Sequence, residues 1–90
     1  MAKIGEREMY HLTHGDFSDN AIIAQQLRDV LRASPHWSRA LDYQQREALD
    51  QIIGCMANII NGDAAYEYHW IELAGHAMEM VNHIGEDDGT

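Results

Sequence analysis

Five side chains towards the C-terminal end have the spacing of a metal or proton site. His69, Glu72, His76, Glu79 and His83 recur at intervals of 3-4-3-4, so on a helix they form one stripe in which imidazoles and carboxylates are neighbours. Such pairs can share a divalent ion, and an imidazole beside a carboxylate can respond to pH near neutrality. Glu47 and Asp50 form an E-x-x-D, with Asp16 and Asp19 upstream. Carboxylates that converge are what Mg²⁺-assisted phosphate chemistry requires. His14-Gly15-Asp16, with Asn20 one turn on, places an acid and an amide at the start of a helix, where they can hold a ligand or cap and pin the turn. Cys55 is the only cysteine and cannot form an internal disulfide.

The elements that must position these groups are helices. Asp42 to Gly62 is the most strongly patterned stretch: Leu49, Ile52, Ile53, Met56, Ala57, Ile59 and Ile60 fall on one side at helical spacing. That arc is wider than the roughly 100° one neighbour needs, which predicts a central helix touched by two or more partners. Asp42 and Gln45 have the form of a capping box, and Gly62 suits the left-handed residue that closes a helix. A preceding helix is predicted over about 18–33, with Ile23, Leu27, Val30 and Leu31 buried and Arg28 and Arg32 opposite. It stops at Ser34-Pro35, after which Trp37 and Leu41 should fold back as a lid. A last helix is predicted over about 64–84, with Tyr66, Trp70, Leu73, Ala74, Ala77, Met80, Val81 and Ile84 as its apolar stripe. The fold class is therefore all-α: a small antiparallel bundle of three main helices in a single domain. Residues 1–15 read as an irregular arm with a short helical turn around Glu6 to His11, and 85–90 as a frayed acidic tail.

Placed on these helices, most of the candidate groups read as plain surface. The centre of the histidine stripe lies about 130° from that of the apolar face, which turns it to water. Glu47 and Asp50 likewise point away from the apolar arc. Cys55 has no cationic or histidine neighbour in sequence and reads as an inert, partly buried thiol. No catalytic residue is assigned and no cofactor expected. If a divalent metal is held, Glu72 and His76 are the ligands the spacing offers.

Fifteen acidic residues against six Lys and Arg leave a net charge of −9 over 90 residues. That balance lacks the basic footprint of direct nucleic-acid binding. Without an apolar leader or a membrane-length apolar run, the expected location is cytoplasmic, with no membrane contact.

Two resemblances bear on function. The E-x-x-D faintly resembles the helical nucleoside-triphosphate pyrophosphohydrolases of the MazG type, which hold Mg²⁺ with paired E-x-x-E and E-x-x-D motifs, but there is no upstream E-x-x-E here. HGDFSDNAIIAQQL, QREALDQI, NGDAAYEYHW and IELAGHA resemble, in order and spacing, small all-helical proteins of tailed phages and prophages. The matching positions include His14, Gly15, Asp16, Asn20, Glu47, Asp50, Asn61, Gly62, Asp63, His69, Trp70 and Gly75. The relatives tend to have basic residues where Gly54, Cys55 and Asn58 stand.

The resemblance implies a viral or prophage origin. The expected function is that of an acidic accessory protein that binds and modulates a host protein, in defence evasion or host takeover, without catalysis. The alternative is a reduced MazG-like nucleotide-binding protein or pyrophosphohydrolase. Binding candidates are His14, Asp16, Asn20, Glu47, Asp50, His69, Trp70 and His76. A homodimer is also expected, with Leu49, Ile52, Met56, Ile59 and Ile60 as its seam, because three short helices cannot cover that whole arc.

Overall fold

The computed structural model describes the backbone of residues 6–87 and the side chains of 9–86. It is a small all-helical bundle without strands among these residues: α1 (Glu6–His14), α2 (Phe17–Arg32), α3 (His36–Ala40), α4 (Tyr43–Asn61) and α5 (Glu67–Asp87). Part of the expected arm is thus helical, and the expected lid is the short α3. Helix α5 runs through Glu86 and Asp87, so the first part of the expected frayed tail is helical too. Residues 1–5 and 88–90 lie outside the described region.

The helix ends follow their caps. Asp16 caps α2 by accepting from the Asp19 backbone N–H at 3.3 Å. Asp42 and Gln45 make the reciprocal pair at α4, with bonds of 2.7 and 2.9 Å. Gly62 is not left-handed, with φ −106°. Its lack of a side chain serves another purpose, since a Cβ there would collide with the Thr13 carbonyl. The left-handed glycine is Gly15, φ 78°, which lets α1 stop and the chain turn into α2.

Helix α4 is central, as its wide arc predicts. Helices α2 and α5 pack along it on either side and share almost no contact with each other. The bundle is therefore close to a single layer, 57 × 32 × 17 Å. Its radius of gyration is 15.9 Å, where a compact chain of this length has roughly 12 Å. Its accessible surface is 6685 Å², where a monomer of this mass exposes roughly 5300 Å².

The core is correspondingly thin. Ala24 and Ala57 allow α2 and α4 to approach closely around Ile53, with Ile23, Leu27 and Leu31 packed beside them. Ile53 is the one large aliphatic residue among the buried hydrophobic side chains of the described residues. Val30, expected inside, is 70% exposed. Arg28 and Arg32, expected on the far side of α2, both reach α4. The Arg28 guanidinium donates to the Asp50 carbonyl at 3.1 Å and lies 3.6 Å from the Asp50 carboxylate, and Arg32 lies 3.3 Å from the same carboxylate. At the other end, Trp37 and Leu41 are half-buried and line a small cavity with Leu31 and Leu49.

Candidate functional site

The orientation of α5 is the reverse of the one its pattern predicts. The histidine stripe, apart from the exposed Glu79, turns inward onto α4, and six of the eight residues of the expected apolar stripe, all but Leu73 and Met80, are exposed. His69 is 1% exposed and His76, Glu72 and His83 are half-buried, whereas Trp70, Ile71, Met78, Val81 and Ile84 are each at least 50% exposed. The apolar arc of α5 spans about 180° at 100° per residue. Helix α4 takes only its edge, Leu73 and Met80, together with the polar stripe beside it.

Specific partners draw the polar groups inward. The last turn of α1 presents carbonyls that no helical N–H can reach, and the elements around it supply donors. The Thr13 carbonyl lies 2.6 Å from His69 Nε2 and accepts from the Asp63 backbone N–H at 2.9 Å. The His14 carbonyl accepts from Asn20 Nδ2 at 2.6 Å, and the same amide donates to Asn58 Oδ1 at 3.1 Å. Asn61 Nδ2 donates to the Asp16 carbonyl at 2.9 Å. The HGD turn and the NGD turn are therefore locked face to face, with both glycines at points where a Cβ would meet the opposite side of the joint.

Rings complete this joint. Tyr10 stacks on His14 at 4.0 Å between centroids, and His14 meets His69 edge-on at 4.5 Å. His14 Nδ1 lies 2.6 Å from the Thr13 hydroxyl. Burial pushes the His14 imidazole below its ordinary range, and the neighbouring His69 adds to the effect.

One turn further along α5 is a different constellation. A Cys55 Sγ, a Glu72 carboxylate oxygen and a His76 ring nitrogen all lie within 4.8 Å of one another. Cys55, read from the sequence as having no such neighbour, is 4% exposed and sits against both. Burial and then the Glu72 charge push its thiol above the ordinary range. The group lines a cleft of about 460 Å³ floored by α4 and walled by α2 and α5, into which Asn20, Arg28 and Tyr10 also face. Two buried atoms here lack a hydrogen-bond partner, His76 Nδ1 and Asn20 Oδ1. The signal available in the sequence was the Glu72–His76 pair; that Cys55 completes it depends on the register between α4 and α5, which no local pattern encodes.

The other expected binding residues are dispersed. Asp16 is a cap, and Asp50 is occupied by two arginines. Glu47 lines a second cleft, with Glu79, His83 and Glu86, at the far end of α4 and α5. Asp16, Asp19, Glu47 and Asp50 thus do not join the three-ligand cluster found among the described residues. Trp70 is 51% exposed, with its indole N–H donating to the Ala64 carbonyl at 2.7 Å. Of the residues expected to form a dimer seam, Leu49, Ile52 and Ile59 are half-buried, while Met56 and Ile60 are exposed. No helix among the described residues is long and apolar enough to cross a membrane. No protein-family model, curated protein or solved structure matches the chain.

Proposed function

We propose that this chain is a non-enzymatic binding module, an accessory protein of the phage or prophage kind its motifs resemble, that docks the outer face of α5 on a basic host protein. The carrying observation is that face. Over about four turns, from Trp70 to Ile84, it presents Trp70, Ile71, Ala74, Met78, Val81 and Ile84 to solvent, an apolar stripe of the extent that marks an interaction surface on a small soluble protein. It has the i, i+3, i+4, i+7 form of a helix that lies in a partner's groove.

Charge selects the type of occupant. Helix α5 has Glu67 just before the stripe and Glu86 just beyond it, and no Lys or Arg. Two copies paired through it in antiparallel fashion would bring acid against acid at both ends, whereas a groove rimmed with Lys and Arg would neutralise them. Gly75 supports the same reading. It lies within the helix, where glycine costs about 1 kcal/mol relative to alanine, yet nothing in the chain apart from the adjoining residues and the nearby backbone of its own helix comes within 4 Å of a Cβ placed there. A partner backbone that approaches closely would account for it.

The test is comparative capture from host lysate with wild-type chain and Met78→Glu, followed by titration of the purified captured protein at two salt concentrations. Loss of at least 100-fold in affinity with Met78→Glu, and weakening with salt, are expected, since an unpaired charge in an apolar seam costs several kcal/mol. A captured protein bound equally well by both forms would refute the reading. So would a wild-type dimer that Met78→Glu converts to monomer in light scattering, because the occupant would then be a second copy.

A further inference from the structure

We infer that Cys55, Glu72 and His76 form a three-ligand site for a transition-metal dication, Zn²⁺ by its chemistry, with the fourth position facing the cleft between α2 and α5. The site is independent of the docking face, which lies on the opposite side of α5.

Geometry comes first. The three donor atoms lie within 4.8 Å of one another, and tetrahedral ligands about 2.0 to 2.3 Å from zinc are roughly 3.5 Å apart, so closure requires shifts of about 1 Å. Each donor stands on a regular helix, Cys55 in the middle of α4 and Glu72 and His76 at i, i+4 on α5. The pair on α5 is thus preset to one side of the ion, and α4 supplies the other.

Chemistry selects the metal. A thiolate, an imidazole and a carboxylate form a mixed sulfur, nitrogen and oxygen set that suits zinc, whereas Mg²⁺ and Ca²⁺ require oxygen donors. As the Zn–S bond forms, the Cys55 thiol proton leaves to solvent. The thiolate and carboxylate together then balance the two positive charges, which removes the conflict of placing a buried thiol beside an acid.

A second observation points to a ligand here. Nδ1 of His76 is buried with no hydrogen-bond partner, although an imidazole normally places both nitrogens. Asn20, 8% exposed, lines the same cleft and leaves its Oδ1 unpartnered. An unpartnered acceptor on the wall of that cleft is available to a water on the metal. Three protein ligands plus one exchangeable position is also the arrangement of zinc sites that are open to a further ligand.

The experiment is titration of the reduced, chelator-treated full chain with Co²⁺ as a spectroscopic substitute, followed by competition with Zn²⁺. One equivalent should produce a thiolate-to-cobalt charge-transfer band and the strong visible bands of four-coordination, and Zn²⁺ should abolish both. Cys55→Ser should remove the charge-transfer band, and Cys55→Ser and Glu72→Gln should each weaken Zn²⁺ at least tenfold. His36→Ala, on an exposed residue far from the cleft, should change nothing. Circular dichroism checks that each variant is folded, and Glu72→Gln, an isostere, keeps the test valid if Cys55→Ser is not. Cobalt spectra without a thiolate band, or Zn²⁺ affinity that survives Glu72→Gln or falls in His36→Ala, would overturn the site.

Discussion

Replacing a glycine by alanine should have opposite effects at two positions of this chain. At Gly62 a Cβ would overlap the Thr13 carbonyl oxygen and come within 2.7 Å of the His14 Cα and carbonyl carbon. These are backbone atoms and cannot swing aside as a side chain would. The turn has to back away, and the Thr13 carbonyl then loses good geometry with both the Asp63 N–H at 2.9 Å and His69 Nε2 at 2.6 Å. Two such bonds at about 1 kcal/mol each, with the strain of the displaced turn, give a loss of about 2 to 4 kcal/mol. That is a large share of the roughly 5 to 15 kcal/mol typical of a domain. At Gly75 no atom apart from the adjoining residues and the nearby backbone of its own helix lies within 4 Å of the added Cβ, and a helical alanine should stabilise by about 0.5 to 1 kcal/mol. Urea unfolding followed by helical circular dichroism measures both. The joint assigned to the HGD and NGD turns would be refuted by a Gly62→Ala midpoint within about 0.5 kcal/mol of wild type, or by Gly75→Ala being equally destabilising.

Three further outcomes follow from the same contacts. The His14 imidazole is held below its ordinary value of 6.5, so the unfolded chain takes up the proton first as pH falls. Its contribution is intact above that value and is lost as pH drops through it towards the folded value; the urea midpoint should fall between about pH 7.5 and 5.5, and His14→Gln should flatten the slope. Asp50→Asn should lose about 1 to 2 kcal/mol, and less in high salt, because it releases Arg28 and Arg32 from a carboxylate that is only 22% exposed. Val81→Glu, on a residue 60% exposed, should stay within about 0.5 kcal/mol of wild type, whereas Leu73→Glu should lose several kcal/mol by burying a charge; comparable losses from both would place the apolar stripe of α5 inside.

What the sequence made legible was governed by local rules. The capping box of Asp42 and Gln45, the Asp16 cap, the stop at Ser34-Pro35 and the central place of α4 all depend on residues within a turn or two, and periodicity carries them. The misread features depend on pairing across helices. Arg28 and Arg32 look like a repelling pair on a solvated face until Asp50 of α4 is placed between them. Cys55 has no partner in its own stretch of sequence, and its neighbours Glu72 and His76 arrive from α5.

The facing of α5 is the sharpest case, and its cause is physical. Apolar periodicity sorts side chains as if water were the only alternative to an oily core. It therefore assigns His69, His76 and His83 to solvent, with no knowledge that the Thr13 carbonyl lies 2.6 Å from His69 Nε2 or that Asp42 lies 3.4 Å from His83. In a thick bundle that polar inward face would have lost to the apolar one, because burying five large side chains is worth on the order of 10 kcal/mol. In a single layer 17 Å thick only one side of α5 can be covered by the chain itself. Polar groups with fixed partners can take that side, provided that something else covers Trp70, Ile71, Met78 and Val81. The inward histidines and the proposed docking face are thus one arrangement: the helix uses its specific bonds to hold on to α4, and under the proposed function its exposed apolar surface is what a second molecule covers, where shape and charge would select the partner.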